Sequence, residues 1–138
     1  MATRNGSADW RGNLQEGEGR ITVGNGVHEG PYSFKSRFED GEGTNPEELI
    51  AAAHAGCFSM ALSGGLTRAG HAPTRVHTTA GVHLEKGEAG FRVQKIDLVT
   101  EAQVPGIDDA AFQEIAKGAK ENCPISVLLS SVEITLDA

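Results

Sequence analysis

The sequence predicts an α+β fold with a mainly antiparallel sheet, a long buried central helix and a second helix, because strand-like and helix-like segments occupy separate blocks. Residues 76–84 alternate apolar and polar side chains at period two, whereas residues 46–64 repeat apolar side chains every three or four positions. A glycine-containing segment at 86–90 joins two strand patterns as a hairpin turn would. A length of 138 residues suits one domain, so we expect a single domain over 1–138.

The N-terminal part is predicted to form strands. Residues 8–23 fit a short strand pair with glycine-rich turns, and Gly24-Asn25-Gly26 is a strong turn signal. From Pro31 to Glu39 aromatic side chains alternate with polar ones, which predicts another strand with Arg37 on its more polar face.

The central helix has a clear beginning and end in the sequence. Asn45 suits the N-cap, Pro46 the first helical position and Glu47 the first turn. Gly70 and a following proline predict the end. Small or apolar residues surround nearly the whole helix, so we expect it in the interior. The predicted interior stripe is Leu49, Ile50, Ala53, Cys57, Met60, Ala61 and Gly64.

The C-terminal part alternates strands and helices. Two strands over 76–84 and 91–104 are expected, with a bulge near Gln94 because the apolar phase slips there. Asp108 or Asp109 suits the cap of a second helix, which Cys123-Pro124 interrupts. A short helical turn over 125–129 and a last strand over 132–136 complete the prediction.

Composition and charge exclude several classes of protein. A net charge of −7 argues against a nucleic-acid or anionic-membrane partner, since both need a positive surface. We expect no stretch to approach the roughly 18 apolar residues of a membrane span, and residues 1–15 lack the apolar core of a secretory signal. We therefore expect a cytoplasmic protein. Its 18 glycines and 38% hydrophobic content favour an obligate oligomer.

The two cysteines, Cys57 and Cys123, are the best candidates for chemistry. Taken alone, Cys57 fits a buried structural cysteine, and becoming a nucleophile would require a nearby cation. Arg37 is the first candidate for that cation and Arg20 the second. The spacing of the cysteines matches no zinc signature. As a redox pair, Cys57 would be oxidised to a sulfenic acid that Cys123 condenses with, if their Cα atoms approach within about 7 Å.

Two further residues lie near Cys57 in the sequence. Glu47 precedes it by ten helical positions, about 15 Å along the axis, and its simplest role is that of a first-turn acid. If Glu47 orients the arginine, we expect it to do so across a symmetric subunit interface. His54 adjoins Cys57 at helical spacing whatever its role, so a Cys/His dyad is disfavoured.

Several motifs resemble the family of osmotically inducible and organic hydroperoxide resistance proteins (OsmC/Ohr). The most diagnostic are the segment from Thr44 to Leu62 and Asn122-Cys123-Pro124-Ile125-Ser126, with support from Ser36-Arg37-Phe38-Glu39 and Val104-Pro105-Gly106-Ile107. The resemblance implies an intertwined homodimer with two active sites at the interface, which reduces organic hydroperoxides and, less well, hydrogen peroxide. It implies that Cys57 is the peroxidatic cysteine, that Cys123 is the resolving one, and that Arg37 and Glu47 activate the thiolate.

The resemblance also implies a dithiol reductant, often of lipoyl type, and no bound metal or organic cofactor. The position of Arg37 is similar to that in the osmotically inducible branch, whereas the other branch carries its arginine near the position of Arg20. Two alternatives remain open on sequence alone. The cysteines could serve a redox sensor or ligand-binding protein, or they could be incidental in a structural stress protein.

Overall fold

The structure is a computed structural model that describes residues 2–138. These residues form two compact units, the first extending to Leu49 and the second from Ile50 to Ala138, and each is described by itself. The single domain expected over 1–138 stays a prediction.

The first unit contains a three-stranded antiparallel sheet in the order β1 (Gly6–Arg11), β2 (Glu18–Val23) and β3 (His28–Tyr32). Gly24 and Gly26 in the β2–β3 turn have φ values of 61° and 91°, as the turn signal predicts. Trp10 and Tyr32 lie on either side of Gly19 and their ring centroids are 5.3 Å apart. A side chain at position 19 would collide with both rings. The predicted strand pair is therefore confirmed.

The strand predicted from Pro31 to Glu39 is wrong beyond Tyr32, because the chain forms a short helix, α1 (Phe34–Phe38). Ser33 caps this helix by accepting a hydrogen bond from the Ser36 backbone N–H at 3.1 Å, and the Ser36 hydroxyl accepts one from the Ser33 N–H at 2.8 Å. Phe34 and Phe38, spaced by four, pack with centroids 5.0 Å apart. Two aromatic side chains four residues apart share one face of a strand and also one face of a helix, so their spacing fits both structures. The capping box of Ser33 and Ser36 favours the helix.

The long helix α2 (Pro46–Arg68) begins and ends where predicted. The Asn45 side chain accepts a hydrogen bond from the Glu48 N–H at 2.8 Å and donates one to the Ser36 carbonyl at 2.9 Å. At the other end Gly70 has a φ of 86°, and the His71 N–H donates to the Leu66 carbonyl at 2.8 Å. This is a Schellman ending, which requires glycine at position 70.

The buried face of α2 differs from the predicted stripe. The fully buried side chains lie four residues apart and are His54, Phe58, Leu62 and Leu66. Met60, which was placed in the interior, is 80% exposed, and Cys57 is only partly buried. The alanines and glycines around the helix left its apolar direction ambiguous in the sequence. Within one chain the stripe of Phe58, Leu62 and Leu66 is buried in the core, whereas the side of α2 that carries Met60 is exposed.

By length and composition alone, α2 is long and apolar enough to cross a membrane, since a stretch of 18 residues within it has a mean hydropathy of 1.4. The expectation that no stretch approaches such a span is wrong by this measure, because alanine raises mean hydropathy without adding large side chains. Core helices of soluble proteins have the same length and composition. The buried stripe of α2 packs into the core of the second unit.

The second unit contains a sheet in the order β4 (Arg75–Gly87), β5 (Gly90–Gln103) and β6 (Glu133–Asp137). The hairpin and the bulge are confirmed, since His83 pairs with Lys95 and Leu84 with Val93, which leaves Gln94 unpaired. Strand β6 runs parallel to β5, a pairing that strand periodicity did not predict. Parallel neighbours need a crossover, which α3 (Asp109–Asn122) and α4 (Pro124–Leu128) provide.

The core of the second unit lies between α2, the sheet and α3. Its fully or nearly fully buried members are Phe58, Leu62, Leu66, Leu98, Ala116, Ala119 and Cys123. The predicted cap and stripe of α3 are confirmed, since the Asp108 side chain accepts from the Ala111 N–H at 2.8 Å and Ala116 is fully buried. Cys123 thus belongs to the packed core, at the junction of α3 and α4.

Candidate active site

The two cysteines lie together in the second unit. Cys57 is in the middle of α2 and partly buried, whereas Cys123 is 1% exposed and caps α4. The Cys57 thiol is within hydrogen-bonding reach of the Cys123 side chain and of the Ile125 backbone N–H. Both cysteines are free thiols. Two thiols far apart in the sequence are therefore neighbours in the fold, as a redox pair requires.

The surroundings of Cys57 in this unit do not by themselves favour its thiolate. Burial raises the pKa of the Cys57 thiol, and the Cys123 side chain raises it further, while the hydrogen bond from the Ile125 N–H lowers it. A thiol becomes a good nucleophile only as the thiolate. The chemistry therefore requires a positive charge that these neighbours do not supply.

Cys123 is held by Ser126, which lies one helical turn further on in α4. The Cys123 thiol donates a hydrogen bond to the Ser126 hydroxyl oxygen at 3.2 Å, and the Ser126 backbone N–H donates to the Cys123 sulfur at 3.3 Å. Pro124 follows Cys123 directly, and the extended backbone of Cys123 (φ −62°, ψ 136°) lets its side chain turn back over α4. These two bonds fix the position of the sulfur.

His54 joins the same network from the buried stripe of α2. Its Nε2 lies 2.7 Å from the Ser126 hydroxyl oxygen, and its side chain is fully buried. The Nδ1 atom has no hydrogen-bond partner within residues 2–138. Burial lowers the pKa of His54, so the ring is held neutral. No local spacing in the sequence links positions 54 and 126, so the sequence does not predict Ser126 as a site residue and disfavours a role for His54.

Arg37 and Glu47 form a bidentate ion pair within the first unit. The Arg37 Nε and Nη2 atoms donate to the two Glu47 carboxylate oxygens at 2.9 and 3.0 Å. The Glu47 side chain is 12% exposed and that of Arg37 is 38% exposed. The expectation that Glu47 meets the arginine across a subunit interface is therefore wrong for Arg37, whereas an approach of this pair to Cys57 of a second subunit stays a prediction. Helix α1 and the Asn45 bond bring both groups together in one chain.

Arg20, the reserve candidate, has a different partner. Its Nη2 donates to Glu29 on the neighbouring strand at 2.9 Å, and both side chains are about half exposed. Of the two candidate arginines, only Arg37 forms an ion pair with Glu47. Within residues 2–138 no group of three or more His, Cys, Asp or Glu side chains is arranged to hold a metal ion.

A cavity of about 480 Å³ adjoins Cys123 in the second unit. It lies between α2 and α3, where Gly64 and Gly118 leave room, and Met60 and Ile115 line it with apolar surface. Arg68 contributes the charged side chain of the lining. The space beside Cys123 has room for a small molecule, and its lining is both polar and apolar.

Comparison with known proteins identifies the family. Residues 39–137 match the family model described as OsmC-like protein. The chain belongs to the OsmC family. The match covers α2 with Cys57 and the junction that carries Cys123, so the thiol pair lies within the shared region.

Named relatives of this OsmC-family chain have related descriptions. Peroxiredoxin OsmC of Escherichia coli strain K12 is 51% identical over 135 residues, which cover 97% of this chain and 94% of that protein. Organic hydroperoxide resistance protein OhrA of Bacillus subtilis strain 168 is 32% identical over 95 residues, 68% of this chain and 66% of that protein. The crystal structure of OhrB from Bacillus subtilis has a TM-score of 0.75 at 28% identity and covers 96% of both chains.

Proposed function

We propose that this chain is a thiol-dependent peroxidase that reduces organic hydroperoxides, and more weakly hydrogen peroxide, in stress defence in the cytoplasm. The observation that carries the proposal is that Cys57 packs against the core cluster that contains Cys123, with its thiol within hydrogen-bonding reach of the Cys123 side chain. Membership of the OsmC family supports it, and so does the 51% identity to a protein named peroxiredoxin.

The first step oxidises Cys57. Its thiolate sulfur attacks one oxygen of the hydroperoxide, the O–O bond breaks, and the other oxygen leaves as an alkoxide that takes a proton to become the alcohol. The peroxide is reduced by two electrons and Cys57 becomes a sulfenic acid. Cys57 suits this role better than Cys123, because it is the more exposed of the two thiols.

The second step forms a disulfide. The Cys123 sulfur attacks the Cys57 sulfur, the S–O bond breaks, and hydroxide leaves and is protonated to water. A dithiol, such as a lipoyl group, then reduces the disulfide by two successive thiol–disulfide exchanges and restores both thiols. The step requires the two Cα atoms to come within about 7 Å, and the proximity of the two thiols supports it.

The Arg37–Glu47 ion pair supplies the positive charge in this proposal. Guanidinium is always charged and stabilises a thiolate, which offsets the burial that raises the pKa of Cys57. The bidentate bonds to Glu47 hold Arg37 in one orientation. Support for this assignment comes from the family resemblance and from the pairing within one chain.

The functional unit in this proposal is an intertwined homodimer with two active sites at its interface. Exposed apolar side chains on α2 and α4 of the second unit favour a second copy as the partner. Met60 is 80% exposed, Val127 57% and Leu128 74%. Large apolar side chains that are this exposed favour burial against another protein.

The test is the intact mass of the protein after one equivalent of an organic hydroperoxide. We expect the unmodified protein to lose two hydrogens as the disulfide forms, and the Cys123→Ser variant to gain one oxygen at Cys57. Cys57→Ser is the control and should show neither change. If Cys57→Ser consumed peroxide as fast as the unmodified protein, the peroxidase proposal would be wrong.

A second measurement separates an enzyme from a redox sensor. The oxidised protein is mixed with a lipoyl dithiol and excess hydroperoxide, and peroxide consumption is followed over many equivalents. Continuous consumption is expected of a peroxidase. A single stoichiometric reaction with every dithiol tried would favour a sensor that uses the same thiol pair.

A further inference from the structure

His54 is a buried titratable group that the peroxidase chemistry described above leaves unused. Its side chain is fully buried, one ring nitrogen contacts Ser126, and the other has no hydrogen-bond partner within residues 2–138. Buried polar atoms in folded proteins are nearly always hydrogen-bonded. An aliphatic residue at position 54 would avoid this unsatisfied atom, so the presence of an imidazole needs an explanation.

The hydrogen bonds around Ser126 have a direction. The Cys123 thiol donates its proton to the Ser126 hydroxyl oxygen. Ser126 has one hydroxyl proton of its own, and His54 Nε2, at 2.7 Å, is the acceptor within reach. In a neutral imidazole that accepts at Nε2, the proton resides on Nδ1, the atom for which residues 2–138 offer no partner. The chain of bonds therefore runs from Cys123 through Ser126 to His54.

We propose that Ser126 and His54 form a proton relay that takes up the thiol proton of Cys123 as this cysteine attacks the oxidised Cys57. This inference rests on the proposed function, because it concerns the step that forms the disulfide. Ser126 touches the reacting sulfur, and His54 acts through Ser126 as a positioning and proton-accepting residue.

The step balances with the groups named. The Cys123 proton moves to the Ser126 oxygen while the Ser126 proton moves to His54 Nε2, and the Cys123 sulfur becomes a thiolate. The thiolate attacks the Cys57 sulfur, the S–S bond forms and the S–O bond breaks. The leaving hydroxide takes the proton that His54 returns through Ser126 and becomes water, so the step needs no oxidant beyond the hydroperoxide.

Two further features fit this relay. The Ser126 backbone N–H already donates to the Cys123 sulfur, so a hydrogen bond is in place to stabilise the thiolate as it forms. Burial lowers the pKa of His54, so the ring is neutral with its Nε2 lone pair free before the reaction, and it holds the transferred proton only transiently. A neutral acceptor at the end of the chain is what proton uptake requires.

The test measures oxidation of Cys57 and disulfide formation as separate rates. Stopped-flow mixing with an organic hydroperoxide gives a first phase whose rate rises with peroxide concentration and a second phase whose rate does not. Ser126→Ala removes the hydroxyl but keeps the backbone N–H. His54→Gln places an amide near Nε2 that can hydrogen-bond Ser126 but cannot act as a base. His77→Gln, on the exposed face of β4, is the matched control.

We expect Ser126→Ala and His54→Gln to slow the second phase by about a hundredfold, the lower end of what general acid–base catalysis contributes, and to leave the first phase unchanged. His77→Gln should change neither phase. A purely structural role would be rescued by glutamine. A normal second phase in His54→Gln would therefore overturn the relay, and so would a normal second phase in Ser126→Ala.

A peroxide-free assay keeps the inference separate from the proposed function. Dithiodipyridine forms a mixed disulfide with Cys57 and releases one coloured thiopyridone, and Cys123 then displaces the second as the disulfide closes. The relay predicts slow release of the second thiopyridone in both variants. If the protein ignores peroxide but shows this slowing, the peroxidase proposal fails and the relay stands. If peroxide oxidises Cys57 and the variants release normally, the relay fails alone.

Should His54→Gln fail to fold by its melting curve, Ser126→Ala decides by itself. Its control is Ser130→Ala, beyond the end of α4. A slower second phase in Ser126→Ala than in Ser130→Ala supports the relay, and equal rates overturn it.

Discussion

At the scale of single residues, the acidic side chain of Glu47 has two possible explanations. It lies in the first turn of α2, where an acid is favoured by the helix dipole, and it also holds both donor atoms of Arg37. The dipole alone would be satisfied by an acid in any orientation. The bidentate geometry at 12% exposure is more specific, and it indicates that Glu47 orients the arginine.

Glu47→Gln should therefore slow oxidation of Cys57 by peroxide more than it destabilises the protein. Loss of the charged partner releases Arg37 from its fixed orientation, and a charge-assisted bond of about 1.5–3 kcal/mol corresponds to roughly a 10- to 100-fold slower reaction. The measurement is the peroxide-dependent phase in stopped flow.

Glu29→Gln is the matched control, because it removes the partner of Arg20 in the same way. We expect it to leave the rate unchanged. If Glu29→Gln slowed the reaction and Glu47→Gln did not, Arg20 would be the activating residue and the assignment of Arg37 would be wrong.

At the scale of elements, α2 has two faces with different functions. The stripe of His54, Phe58, Leu62 and Leu66 packs into the core of the second unit, whereas Met60 is exposed. Packing density explains the first face, since long side chains at a spacing of four fill the space against the sheet and α3. The proposed subunit contact explains the second.

Leu62→Ala and Met60→Ala should separate these functions. Leu62→Ala removes a fully buried side chain and should lower the free energy of unfolding by about 2–5 kcal/mol in urea titrations. Met60→Ala should leave the unfolding of an isolated chain nearly unchanged and weaken self-association in sedimentation experiments. Equal sedimentation of Met60→Ala and the unmodified protein at all concentrations would argue against Met60 lying in the dimer interface.

Also at this scale, α1 and β6 show where local patterns fail. Alternating aromatic residues predicted a strand where Ser33 and Ser36 form a capping box instead. The period of β6 predicted a strand correctly but gave no information on its direction. Its parallel pairing with β5 follows from the crossover through α3 and α4.

At the scale of the second unit, one carboxylate joins all three strands of the sheet. Asp97 on β5 accepts a hydrogen bond from the Thr135 hydroxyl on β6 and lies 2.6 Å from His83 Nε2 on β4. The hydrogen bonds of Thr135 and then His83 lower the pKa of Asp97 to about 2, and Lys95 contributes in the same direction. The cluster fixes the parallel strand in register.

This cluster predicts a pH dependence of stability. The folded-state pKa of Asp97 is depressed from 3.8 to about 2, so its contribution is fully present above pH 3.8 and is lost as pH falls through 2. Asp97→Asn should remove that part of the acid dependence and lower stability at neutral pH. Urea titrations between pH 2 and 5 provide the check. An unchanged acid slope in Asp97→Asn would contradict the assignment.

Features that depend on neighbouring residues along the chain could be predicted from the amino-acid sequence. Both ends of α2, the hairpin, the bulge at Gln94 and the break at Cys123-Pro124 all follow from local backbone preferences and periodicity. Motifs within the chain likewise indicated Cys57, Cys123, Arg37 and Glu47. Such signals need no knowledge of the fold, because caps, prolines and apolar periods act within a few residues.

Contacts between groups that are distant along the chain depend on the folded structure. The pairing of Arg37 with Glu47 in one chain, the buried side of α2, and the path from Cys123 through Ser126 to His54 each join residues from different elements. Hydrogen bonds depend on distances of a few tenths of an ångström, and such distances are set by packing across the whole unit. A sequence pattern specifies the elements, but it does not specify which of their side chains come into contact.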